Sequence, residues 1–168
     1  MSTRSGCSRN NATQSGNNKG EKMSTADNKK VVEKFFDLGL AGDFEGLFNL
    51  FTPDATWQLP GTTAWSGEHP VPYVRRIIEQ GMAPKFAGPN VWGPTRMIGE
   101  GDVVAVEYYS DIDIVGGKRY SNRYSAWFEI QDGKIVKLVE YMDTKLFYDI
   151  FLSEGDVLAG DSPEQLTG

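Results

Sequence analysis

Cysteine and histidine are nearly absent from this chain, which carries one of each, Cys7 and His69. A single thiol builds no internal disulfide framework, and a Cys/His metal centre needs three or four such ligands. Long apolar runs are missing as well. No stretch approaches the roughly 20 residues that span a bilayer, and the first residues lack the apolar centre of a secretory signal. Basic residues are in the minority, 17 against 23 acidic, with a formal net charge of -6. They form no stripe, which excludes the electrostatic footprint of a nucleic-acid or anionic-membrane surface. The expectation is a cytoplasmic protein that needs no cofactor and whose partners are small molecules or other protein chains.

What the chain does have is enough apolar material for one core: 168 residues, 39% hydrophobic and 12% aromatic. One compact domain is expected. Residues 1–23 are Ser, Asn and Gly with almost nothing apolar, and such a segment cannot repay the entropy of ordering. They read as a disordered polar leader, residues 24–152 as the domain, and residues 153–168 as a polar tail.

The domain opens with helical spacing. Ser24 and Asp27 offer caps, and Val32, Phe35, Phe36 and Leu40 recur on one face up to a stop at Gly42. A short second helix carries Phe44, Leu47, Leu50 and Phe51 and ends at Thr52-Pro53-Asp54. A strand-like stretch from Ala55 is broken by proline and glycine, and a third helix follows with Val74, Ile77 and Ile78 inward. The period then changes to two. Strands are expected over Val91 to Ile98, Val103 to Ile114, Tyr120 to Ile130 and Ile135 to Asp143, separated by Gly116-Gly117 and Asp132-Gly133 turns. A short helix over Thr144 to Phe151 closes the domain. Helices first and an antiparallel meander afterwards predict an α+β fold in which helices cover one face of a curved sheet.

Strand alternation singles out polar residues aimed at that core. In Tyr120 to Ile130 the greasier face holds Tyr120, Asn122, Tyr124, Ala126, Phe128 and Ile130. On the last strand Glu140 shares its face with Val136, Leu138 and Met142. For Val103 to Ile114, periodicity alone buries Val104, Val106, Tyr108, Ile112 and Ile114, and exposes the mixed face of Val103, Ala105, Glu107, Tyr109 and Asp111. A deeply buried, unpaired carboxylate is costly. Glu140, Asn122 and Tyr124 therefore either form a satisfied structural network at a wet edge, or line a pocket in which desolvation makes the carboxyl a usable acid or base.

The segments Ala41 to Trp57, Pro60 to Gly67 and Arg119 to Phe147 give the run from about Asp27 to Phe151 a family likeness. It resembles the SnoaL-like and ketosteroid-isomerase-like group of the nuclear-transport-factor-2-like superfamily. The resemblance implies a cone, a curved sheet wrapped around the N-terminal helices and open at one end onto an apolar pocket. It also implies a homodimer formed through the outer sheet face, where Trp127, Val139 and Tyr141 alternate. The ketosteroid-isomerase base and tyrosine fall on Leu59 and Phe35, so that chemistry is not expected. In limonene epoxide hydrolases a water-activating carboxylate falls on Glu140. Their arginine and second aspartate fall on Glu107 and Tyr109, and their first-strand polar pair on Thr56 and Gln58. That alignment selects the mixed face of the Val103 strand as the pocket face. The phenazine-biosynthesis A/B proteins also carry a glutamate corresponding to Glu140, but their histidine has no convincing counterpart, and His69 reads as a surface or capping residue.

The resemblance thus makes Glu140 the leading catalytic candidate, with Glu107 as a like-charged neighbour that would keep one proton between them. Gln58, Tyr109, Asn122 and Tyr124 would supply polar contacts, and Trp57, Trp65, Trp92 and Met142 the apolar wall. The function expected is proton transfer on a small, apolar, oxygenated molecule, by isomerisation, cyclisation or dehydration. Epoxide opening by activated water and a non-catalytic binding or dimerisation module are the competing expectations.

Overall fold

A computed structural model describes residues 23–152. The polar leader, apart from Met23, and the polar tail expected at the two ends lie outside the described residues.

Helix α1 spans Thr25–Leu40. Its start is fixed by Ser24, whose hydroxyl accepts the Asp27 N–H at 3.2 Å, and its end by Gly42 in the left-handed region. It buries Asn28, Val32, Phe35, Phe36 and Gly39, a stripe at helical spacing. Helix α2, Phe44–Phe48, is capped by Asp43. Strands β1 (Phe51–Leu59) and β2 (Gly67–Pro70) form a hairpin, and α3 (Val71–Arg76) continues as a π-helical turn over Ile77–Met82. Strands β3 (Val91–Glu100), β4 (Val103–Ile114), β5 (Lys118–Gln131) and β6 (Lys134–Met142) then run as a meander. Helix α4, Thr144–Phe147, capped by Asp143, ends the domain with a π-helical turn over Tyr148–Leu152.

The strand order is β2-β1-β6-β5-β4-β3. The expected meander is present, but the sheet is not wholly antiparallel, because β1 runs parallel to β6, with Trp57 beside Leu138. The cause is connectivity: α3 and the segment after it carry the chain from β2 to the far edge, so the meander returns to β1 in the same direction. The sheet is curved and unclosed, with the helices on its concave face, as expected of an α+β cone. Among the described residues no helix is long and apolar enough to cross a membrane.

Two bulges set which side chains look inward. Thr95 is the extra residue of β3 against β4, and Val136 that of β6 against β5. The second explains a departure from simple alternation. Val136 is only half-buried, while Ile135, opposite Ile130, joins Leu138 and Glu140 on the buried side.

Candidate functional site

Between the concave face and the helices lies a cavity of about 350 Å³, inside the range of small-molecule sites. Its wall is largely aromatic and aliphatic. Phe35 from α1 packs edge-on or tilted against Trp57, Trp92 and Phe128, and Trp65 against Phe147. Gly39 makes this possible on the helix side, since the Trp92 ring occupies the space where a Cβ would be. Among the lining residues Glu140 is the only carboxylate, and none is a lysine or arginine.

Glu140 is 7% exposed. It stands opposite Ala126 on β5, which in turn pairs with Val106 on β4. From β4, two strands away and on the same face of the sheet, Tyr108 donates its hydroxyl to Glu140 Oε1, and the Glu140 side chain lines the cavity. Burial raises the Glu140 pKa from the usual 4.5 to about 7. The Tyr108 hydroxyl, and to a smaller extent the Trp57 indole N–H, oppose that rise by favouring the ionised form. The Trp57 N–H stops short of a formed hydrogen bond.

A second polar group stands beside the first. Tyr108 and Tyr124, a register pair, stack with ring centroids 4.3 Å apart. The Tyr124 hydroxyl meets that of Tyr120 at 2.6 Å, and the Asn122 amide donates to Tyr120 at 2.9 Å. Burial pushes the pKa of Tyr108, Tyr120 and Tyr124 up, so all three are neutral phenols. Ser110 and Asn90 line the cavity near this group.

Among the expected site residues, the cavity brings together Glu140, Tyr124, Met142, Trp57, Trp65 and Trp92. Four do not line it. Glu107 sits on the outer face, its side chain 56% exposed and 3.6 Å from Arg96. It is no neighbour of Glu140, so the pair that would share a proton does not exist. Tyr109, on the same outer face, lies under the Arg123 guanidinium at 5.2 Å. Gln58 alternates outward between the inward-facing Trp57 and Leu59. Asn122 is buried and faces inward, but behind Tyr120, where it ties β5 to the backbone of Asp143. The physical reason for the first three is the pleat. A strand placed one residue out by analogy presents its opposite face.

Sequence reasoning missed Tyr108, Tyr120, Ser110 and Asn90 as cavity residues. Alternation alone put Tyr108 and Tyr120 on buried faces. His69 is a further correction. It is buried at 7% exposure on β2, not on the surface, and lines the cavity. Its Nε2 is 2.9 Å from the Trp65 carbonyl and its ring lies against Tyr73. Because a carbonyl only accepts, Nε2 carries a proton in this contact.

A family model described as a SnoaL-like domain matches residues 32–138. Similar solved structures include an NTF2-like protein from Burkholderia xenovorans LB400, 19% identical, covering 77% of this chain and 98% of that one with a TM-score of 0.60. PrhC from Penicillium brasilianum NBRC 6234 is 15% identical, with 75% and 86% covered and a TM-score of 0.67. TerC, co-crystallised with polyporic acid, is 19% identical, with 74% and 97% covered and a TM-score of 0.62. At these identities the likeness is one of fold. No curated protein matches the sequence.

Proposed function

The chain belongs to the SnoaL-like domain family, and from that premise we propose that it is an acid–base enzyme acting on a small, apolar, oxygenated molecule held in the cone. Isomerisation, cyclisation and dehydration all need a base that removes a proton from carbon or oxygen and returns it elsewhere. The observation that carries the reading is Glu140: a buried carboxyl that lines the cavity, with one oxygen held by Tyr108 and no cationic partner among the described residues. A pKa of about 7 lets it both take and give a proton near neutral pH. Tyr108 orients it, and the aromatic wall keeps water away from the reacting atoms. That the neighbour TerC was co-crystallised with polyporic acid supports a ligand-holding use of this fold.

The competing reading, epoxide opening by water activated at Glu140, loses support because the positions on which the arginine and second aspartate of that machinery fall, Glu107 and Tyr109, face outward. A homodimer through the outer sheet face belongs to the same proposal. Trp127 and Tyr141 are 47% and 50% exposed there, and sedimentation at micromolar concentration tests it.

The catalytic reading is tested by incubating the protein in D2O with apolar ketones of two or three rings and following exchange of the carbon-bound protons next to the carbonyl by NMR. Exchange is expected to fall by roughly 10²- to 10⁴-fold in Glu140→Gln. Exchange that survives this substitution removes Glu140 as the base. Binding without any exchange leaves a ligand-binding module.

A further inference from the structure

We propose that Asn122, Tyr120 and Tyr124 form a one-way hydrogen-bond relay that makes the Tyr124 hydroxyl a dedicated donor to an acceptor oxygen of a neutral ligand in the cavity that Tyr124 lines. This rests on the cavity being a ligand site and adds which ligand atom is held, and by what.

The direction of the relay follows from counting donors. Asn122 Oδ1 receives two backbone N–H groups, from Arg123 at 2.8 Å and Asp143 at 3.2 Å. Those groups only donate, so the amide orientation is fixed and Nδ2 is the end that meets Tyr120. Nδ2 donates to the Tyr120 oxygen at 2.9 Å and to the Asp143 carbonyl at 3.1 Å. The Tyr120 proton then has two destinations: the Tyr124 oxygen at 2.6 Å, or the Met142 thioether at 3.9 Å. A thioether is a weak acceptor, so the proton goes to Tyr124. Tyr124 is thereby an acceptor from behind and keeps its own proton for what lies in front.

In front of Tyr124 stands Ser110, whose hydroxyl approaches the phenol oxygen as a hydrogen-bond donor and favours its ionised form. The Ser110 hydroxyl also reaches Asn90 Oδ1, at 3.5 Å, a distance at which little is gained. The Tyr124 oxygen is thus an acceptor from both Tyr120 and Ser110, and its own proton is left for the cavity that Tyr124 lines. Among the described residues no lysine or arginine lines the cavity, so a carboxylate or phosphate finds no lysine or arginine counter-charge among them. A carbonyl or ether oxygen on an apolar frame fits. Tyr124 stacks on Tyr108, whose hydroxyl holds the Glu140 carboxyl, so such an oxygen and that carboxyl share one cavity. Tyr120 touches no ligand in this scheme. It is a positioning residue, and each bond in the chain polarises the next.

A matched pair of probes reads the relay: 2-acetylnaphthalene and its carbonyl-free analogue 2-isopropylnaphthalene, both small enough for a cavity of about 350 Å³. Affinities are measured by calorimetry, and the bound carbonyl stretch by infrared spectroscopy. The wild-type protein is expected to prefer the ketone by about tenfold beyond its difference in water solubility, the size of one good neutral hydrogen bond. Tyr124→Phe should abolish that preference and return the carbonyl stretch to its hydrocarbon-solvent frequency. Tyr120→Phe keeps the ring that packs on Phe151 and should cut the preference about threefold, with a smaller frequency shift, while hydrocarbon affinity stays unchanged. A structural role for Tyr120 would move both affinities together and leave the frequency alone, overturning the relay. A wild-type protein that binds the ketone without preference overturns the acceptor site. Failure of both probes to bind overturns the reading of the cavity itself.

Discussion

The two faces of the sheet carry the same residue types and use them in opposite ways. On the outer face Glu107 pairs with Arg96 across solvent, Arg119 bridges Asp111 and Asp113, and Lys137 meets Glu68. On the inner face Glu140 has no cation, and its nearest partners are a phenol and an indole. Tyr108 and Tyr109 are adjacent in sequence, yet one donates its hydroxyl to a buried carboxyl and the other lies beneath an exposed guanidinium. Nothing in the side chains distinguishes these roles. Solvent does. Water screens the outer charges and makes each pair worth little, whereas its exclusion inside turns one carboxyl into a group poised near neutral pH.

The largest expected effect that tests this contrast is the pH dependence of stability. Glu140 has a folded-state pKa raised to about 7 from an ordinary 4.5, so the folded chain holds that proton more tightly than the unfolded chain. Its contribution is most favourable below about pH 4.5 and is lost as pH rises through about 7. Complete loss amounts to on the order of 3 kcal/mol. Other carboxylates titrate in the same range, so the quantity to measure is the difference between wild type and Glu140→Gln by urea unfolding at pH 4.5, 6 and 8. The glutamine variant should gain on the wild type by most of that amount between the first and last pH. A difference that stays flat would mean Glu140 is solvated after all.

The fold was legible from periodicity because burial and alternation are the same physical fact seen at two levels. Val32, Phe35, Phe36 and Gly39 repeat at helical spacing because one stripe of α1 faces the sheet. Tyr120 through Ile130 alternates because β5 has one dry face. Glu140 stands out for the same reason, as the one carboxylate on β6, on a face it shares with apolar side chains. The failures came from places where local pattern is silent. The parallel pairing of β1 with β6 is a long-range choice that neither strand encodes alone. For β4, periodicity favoured burying Tyr108, and analogy with epoxide hydrolases moved the choice to Glu107 and Tyr109, one residue away and on the wrong side. His69 stands at the mouth of a helix and is followed by proline, which reads as a surface or capping position, yet β1 recruits it into the edge strand β2 opposite Trp57.

A smaller effect probes how the inner face is built. Ala126 is the register partner of Glu140 on β5 and is fully buried. Ala126→Leu inserts bulk on the inner face beside Glu140, and overpacking of this kind costs about 1–3 kcal/mol. It should also detach the Tyr108 hydroxyl and alter the near-ultraviolet circular dichroism of the stacked tyrosines. An unchanged spectrum with unchanged stability would show that Ala126 does not set the Tyr108 position.

Smaller still is Tyr108→Phe. It removes the hydroxyl that favours the ionised form of Glu140 and should raise the carboxyl's pKa above about 7. The stability loss with rising pH then moves to a higher pH window, and any Glu140-dependent rate profile moves the same way. The upward displacement expected is about one pH unit, worth about 1.4 kcal/mol. Tyr109→Phe should leave the profile where it is. A downward displacement in Tyr108→Phe would mean the phenol stabilises the protonated acid instead.

The smallest effect belongs to the outer face and is the sharpest check on the comparison. Glu107 and Arg96 are 56% and 71% exposed and 3.6 Å apart. Exposed pairs of this kind contribute about 0–1 kcal/mol, and that little is screened by salt. Glu107→Gln should therefore change stability by less than about 0.5 kcal/mol. It should do so by the same amount at pH 6 and pH 8, and the difference should vanish in 1 M salt. The sheet separates Glu107 from the cavity, so the variant should also leave the Glu140 titration untouched. The experiment is the unfolding series already described, repeated on Glu107→Gln and on the double variant with Glu140→Gln. Additive effects at every pH fit two faces that do not communicate. A coupling above about 0.5 kcal/mol, or a displaced Glu140 midpoint, would mean the two carboxylates sense one another through the strand, and the contrast between a screened exterior and a dry interior would fail where β4 divides them.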